Sequence, residues 1–152
     1  MAGNFSAVAQ VIFRGLFWDY FGIVLGLFWD CFAEVFDMSA LTDKLSAYGC
    51  DIDGAMGRFL NNESFYAKCY GKFVADKGFA RLGEALQAGN VKGAFEAAHD
   101  LKGISANMGI TPVYELIVGM VEVLRAGRMP EDAMETYQRL MEMHADLEAL
   151  GE

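Results

Sequence analysis

Residues 97–109, AAHDLKGISANMG, place a histidine, a lysine and a glycine at positions 99, 102 and 103. Each could do chemistry that the others make useful. A histidine side chain has an ordinary pKa of about 6.5, so near pH 7 much of it is a neutral imidazole able to act as a nucleophile. A lysine three residues on in a helix stands one turn away on the same side. There its ammonium could hold negative charge that the imidazole acquires, as a phosphoryl group would bring. Glycine costs roughly 0.5–1 kcal/mol relative to alanine in a helix interior, so its use here suggests that another group must come close. The chain has 17 glycines, several inside helical patterns, so Gly103 carries this argument only together with its neighbours.

This chemistry requires that His99 face outward, and helical periodicity tests that. At about 100° per residue over Val91–Met108, a core stripe forms from Ala94, Ala97, Leu101, Ile104 and Met108. His99 points almost directly away from it. Its outward neighbours are Lys92, Phe95, Glu96, Lys102, Gly103, Ala106 and Asn107. An outward aromatic, Phe95, beside small residues suggests a docking patch. No hydrolytic triad, paired carboxylate or metal box accompanies His99. The chain also lacks a phosphate-cradling GxxxxGK loop ending in Ser or Thr. A phosphoryl group on His99 would therefore come from another protein, as a labile phosphoramidate suited to onward transfer.

The elements that must position this face are helical. The chain has 152 residues, 54% of them hydrophobic and 22% charged, with two prolines, which fits one globular domain with a core. A helix is predicted over Ala40–Ala47, ending near Gly49. A second runs to Leu60, with Asp51 or Asp53 as its cap. Asn61-Asn62 caps Glu63–Ala75, and a further helix covers Gly78–Ala88, closed by Gly89. Asn90 caps the helix that carries His99 and stops at Gly109. Thr111-Pro112 opens a helix to Ala126, closed by Gly127, and Pro130 starts the last, which reaches Leu150. Short connections between long amphipathic helices predict an all-α, antiparallel up-down bundle with additional short helices. In the last helix His144 reads as an ordinary helix residue, and Met134, Met141 and Met143 as core and rim.

Residues 1–37 differ from the rest. They hold 10 of the 20 aromatic residues and both tryptophans, with Arg14 as their one basic residue. GLFWDYF at 15–21 returns as GLFWDCF at 26–32, an offset of 11 that places both copies on one face of a helix. A narrow acidic stripe, including Asp19, Asp30, Glu34 and Asp37, crosses an otherwise apolar surface. A membrane span fits poorly, because the charge-free runs of this segment, Met1–Phe13 and Tyr20–Trp29, both fall short of the roughly 20 residues needed. A signal peptide fits poorly too, since no basic stretch precedes the apolar run. An interfacial or self-pairing helix over 11–36 fits better, although a membrane binder would usually carry Lys and Arg on its polar face. Equally, Met38 could begin the compact domain, 38–152, without a role for what precedes it.

The formal net charge of −9 argues against nucleic acid as a partner. Cys31, Cys50 and Cys69 are odd in number and form no CxxC pair, so a reducing compartment is expected, and with only His99 and His144 a zinc site has little material.

With these residues in view, the chain resembles the histidine-containing phosphotransfer (HPt) domain. That family's signature, H-x-L/F/M-K-G-x-S/A-x-x-hydrophobic-G, is met from His99 through Leu101, Lys102, Gly103, Ser105 and Met108 to Gly109. The flanking LQAGNVKGAFEAAHD and ITPVYELIVGMVEVLRAGR are similar to the family as well, and the resemblance spans roughly 40–150. It implies a four-helix bundle with His99 as phosphoacceptor on its outer surface. Lys102 would stabilise the phosphohistidine, and Gly103 would leave room for the partner. Phe95, Ala106, Asn107 and Arg125 would form the docking rim. The implied protein is a phosphocarrier with no ATP site and no cofactor of its own, magnesium belonging to the partner. Its implied partners are response-regulator receiver domains and a hybrid sensor kinase, with a cytoplasmic location, peripheral to the membrane if the N-terminal segment binds one. Many members carry a polar residue 22 positions after the histidine; here that position is Val121, so Glu122 or Arg125 would have to take its place. The rival expectations are a helical adaptor that binds a receiver or kinase without carrying phosphoryl, and a self- or membrane-associating scaffold acting through 11–36.

Overall fold

The structure is a computed structural model and describes residues 40–152; the apolar segment 1–37, its repeat and Cys31 lie outside the described residues. Every regular element among the described residues is a helix. A helix over 40–47 (α1) is followed by α2 (Ile52–Arg58), α3 (Glu63–Val74), α4 (Gly78–Gln87), α5 (Val91–Met108), α6 (Thr111–Arg125) and α7 (Ala133–Leu150). The last four close into a bundle in which α5 packs along α4 and α6, and α7 packs along both of those. Helices that are neighbours in space and joined by a few residues must run antiparallel. The interior is aliphatic and aromatic, with Phe79, Leu82, Leu101, Ile117, Val121, Leu140 and Leu147 fully or almost fully buried.

The boundaries follow local chemistry. Asp51 caps α2 by accepting from Gly54 N–H at 3.0 Å. Asn62 caps α3 through Phe65 N–H at 2.9 Å, and Asn90 caps α5 through Gly93 N–H at 3.0 Å. Several predicted ends move, three of them for reasons visible in the local structure. The second helix stops at Arg58 because Leu60 and Asn61 both take φ 54, left-handed backbone that ends a helix. α6 has Ile110 at its N-cap, so Thr111 is already helical, and its hydroxyl donates to Gly109 O at 3.3 Å. The last helix starts at Ala133, after a turn through Pro130 in which Ala133 N–H bonds the proline carbonyl.

The C-terminal end of α5 is held more firmly than a helix end need be. Its last carbonyls have no partner within the helix and must find others. Gly109, at φ 71, turns the chain so that Ile110 N–H reaches Ser105 O at 2.9 Å. Arg58 donates from Nε to Asn107 O at 2.8 Å and from Nη2 to Ala106 O at 3.2 Å. The buried Tyr66 hydroxyl donates to Met108 O at 2.9 Å, and Asp51 N–H to Gly109 O at 2.8 Å. Thus α2 and α3 clamp the helix that carries His99. α3 also ties to α7, where Tyr70 donates to Leu147 O at 2.6 Å and His144 Nε2 to Val74 O at 2.7 Å. His144 also lies against the Phe79 ring, 4.1 Å between centroids. It is a tether between α3 and α7, where its sequence context suggested only an ordinary helix position.

Candidate functional site

α5 is 18 residues long, and His99 stands exposed at its middle. The buried side of α5 is Ala94, Ala97, Ala98, Leu101, Ser105 and Met108. One member of the predicted stripe, Ile104, leaves it, and Ala98 and Ser105 join it. Ile104 is half-buried at the margin, and Ser105 is fully buried, its hydroxyl donating to Leu101 O at 2.7 Å. That bond satisfies the serine, so its burial carries little penalty. The stripe is rotated slightly from the one read off the sequence, yet His99 still faces solvent.

Around it, Lys102 is half-buried one turn on, and Gly103 is exposed. A methyl group added at Gly103 would meet nothing within 4 Å, so the glycine leaves open space over α5. Ala106 and Asn107 continue the exposed strip. Beyond Asn107 and Gly103, a groove of about 460 Å³ runs between α5 and α3, floored by Phe59, Phe73, Ile104 and Met108 and edged by Lys72. Phe65, 54% exposed, stands at its rim. Sequence reasoning missed this groove, because it forms where two helices meet and each contributes only part of the wall. The exposed Phe65 in the first turn of α3 was the available signal.

On the other side of His99, Phe95 lies one helical turn before it. The two rings are 5.5 Å apart between centroids and inclined at 36°. Phe95 is half-buried and packs against the core, not freely outward. Arg125, exposed at the end of α6, holds its guanidinium 6.0 Å from the centre of the Phe95 ring. The same guanidinium pairs with Glu122 at 3.1 Å. Asp100, next to His99, faces Arg81 of α4 at 3.9 Å. Among the described residues, no group hydrogen-bonds the His99 imidazole. Val121 is fully buried in the core and offers nothing to it, and Glu122 and Arg125 bond each other instead.

The structure therefore brings Phe95, His99 and Arg125 into one contact chain across α5 and α6. It sets Lys102, Gly103, Ala106 and Asn107 along the other half of the same strip. Chemically this is an accessible nucleophile with cations near it and an unobstructed approach. No helix among the described residues is long and apolar enough to cross a membrane.

A family model, that of the Hpt domain, matches residues 75–152, just over half of the chain and all of α4 to α7. Neither the curated proteins nor the solved structures contain a match. Hpt domains are phosphotransfer modules of two-component signalling. They act as phosphocarriers in phosphorelays, through a phosphohistidine, and they work with receiver domains and kinases.

Proposed function

This chain belongs to the Hpt domain family, and from that premise we propose that it is a stand-alone phosphorelay carrier whose phosphoacceptor is His99. The supporting observation is the exposed imidazole at the middle of α5, opposite the buried stripe, with Lys102 and the open Gly103 on the same strip. A neutral His99 attacks the phosphorus of a receiver's aspartyl phosphate with the lone pair of its unprotonated ring nitrogen. An N–P bond forms as the O–P bond breaks, and the aspartate leaves as a carboxylate with the electron pair. The ring carries the positive charge until its other nitrogen releases a proton to water. Return of the group to a second receiver reverses these steps.

In this reading Lys102 lies within reach of the new negative charge, and the exposed Ala106, Asn107 and Arg125 form the rim that the receiver meets. Magnesium belongs to the receiver, and the chain itself contributes no cofactor and no ATP site. The upstream donor is a hybrid sensor kinase, and the setting is the cytoplasm, with residues 11–36 as a separate means of self-association or membrane contact. The test is incubation with a receiver domain phosphorylated on its aspartate, followed by a search for acid-labile, alkali-stable label. Wild type should take label, and His99→Gln should take none. Full labelling of His99→Gln, or none of wild type, would refute the assignment. Retained partner binding and signalling in His99→Gln would instead favour the adaptor.

A further inference from the structure

A nucleophile that passes a group between two partners must present the same nitrogen each time, yet an exposed imidazole on a single-bonded side chain is free to turn. The customary restraint is a hydrogen bond to one ring nitrogen. His99 has none from the described residues, and the candidate position for a donor, Val121, is sealed in the core. The contact that His99 does have is a ring. Phe95 precedes it by four residues on α5, so helix geometry places the two side chains side by side. Their separation of 5.5 Å and inclination of 36° fall within the range at which aromatic rings attract each other.

Phe95 is itself held. It is half-buried and packed on the core, and the Arg125 guanidinium stands 6.0 Å from its ring centre, at the outer edge of cation–π attraction. Glu122 anchors that guanidinium at 3.1 Å. A fixed ring beside a mobile one restricts the mobile one.

We propose that Phe95 is the positioning residue of this site: its ring, steadied by Arg125 and Glu122, orients the His99 imidazole where a hydrogen bond would otherwise do so. The inference rests on His99 being the phosphoacceptor. Two features follow. The restraint needs an aromatic ring, not merely an apolar side chain. It also acts on the chemical step within the docked complex, not on how tightly the receiver docks.

The experiment is single-turnover transfer from a receiver domain phosphorylated on its aspartate, at receiver concentrations that separate the limiting rate from the half-saturating concentration. Phe95→Leu keeps apolar bulk on the core and removes the ring; Phe95→Tyr keeps the ring. Phe95→Leu should lower the limiting rate roughly 3- to 10-fold, in line with the strength of an aromatic pair, and change the half-saturating concentration less than twofold. Phe95→Tyr should transfer within twofold of wild type. In the nuclear magnetic resonance spectrum, the His99 ring signals of Phe95→Leu should move toward those of a free histidine, and those of Phe95→Tyr should not. An unchanged limiting rate in Phe95→Leu would overturn the inference. So would a rise confined to the half-saturating concentration, which marks Phe95 as a docking contact, or a Tyr variant as slow as Leu. If wild type takes no label at all, the phosphoacceptor assignment fails first; normal labelling of wild type and Phe95→Leu alike removes this inference alone.

Discussion

Gly103→Ala should make the protein more stable, and Gly103→Leu should make it less able to transfer. Gly103 lies in the interior of α5, exposed, with ordinary right-handed backbone and nothing within 4 Å of where a Cβ would stand. Nothing in the folded chain therefore opposes a side chain. Alanine is favoured over glycine inside a helix by roughly 0.5–1 kcal/mol. For the roughly 110 described residues, an unfolding entropy of about 2.1 cal/mol/K per residue makes 1 kcal/mol worth about 4 °C. Gly103→Ala should thus raise the midpoint of thermal unfolding by about 2–4 °C, measured by circular dichroism. Gly83 provides the contrast: a Cβ there would collide with the Tyr137 side chain, so Gly83→Ala should lower the midpoint. If the space above Gly103 is where the receiver comes close, Gly103→Leu should keep its helix content and lose transfer by roughly 10-fold or more, because misplacement of the reacting atoms by about 1 Å can cost as much as 100-fold. Wild-type transfer by Gly103→Leu would refute the reasoning from the function side. A loss of stability in Gly103→Ala would refute it from the structural side.

Lys102→Ala should slow transfer to His99 roughly 10-fold, the value of one charge-assisted hydrogen bond, while Lys102→Arg keeps most of the rate; equal rates for all three proteins would remove Lys102 from the site. Tyr70→Phe removes the donor to Leu147 O in the last turn of α7 and should cost about 1–2 kcal/mol, read as a lower urea midpoint. Burial pushes the Cys50 thiol up to about 11 from 9.0 and raises the Tyr66 and Tyr70 phenols as well. Above pH 9 the unfolded chain gives up these protons while the folded one keeps them, so stability should fall as pH rises from 9 to 11, by up to about 1.4 kcal/mol per pH unit for each group. A urea midpoint unchanged between pH 8.5 and 10.5 would contradict this, and Cys50→Ala should reduce the slope. Any association of the full chain with itself or with lipid vesicles should disappear when the chain begins at Met38; equal sedimentation of the two would remove the scaffold proposal.

What the sequence made legible, and what it did not, divides along one physical line. Periodicity within a helix is a local property, so the outward placement of His99, the caps at Asn62 and Asn90 and the turn at Gly109 could all be read before any neighbour was known. Contacts between helices are not local. The meeting of Phe95 with Arg125 depends on how α5 and α6 cross, and the groove beside Asn107 depends on where α3 lands. The clamp of Arg58 on α5 carbonyls could not be inferred either, since it joins residues 49 apart. Val121 lies on this line as well. As an isolated position it reads as a missing polar partner, but α6 buries Val113, Ile117, Met120, Val121 and Leu124 along one stripe, which fixes Val121 inward. A polar group there would sit in the core and would need a partner of its own. Under the proposed reading, the orienting task falls to something on the surface. In this fold the neighbour one turn before His99 on the same helix is an aromatic ring, placed there by sequence spacing and held there by the next helix.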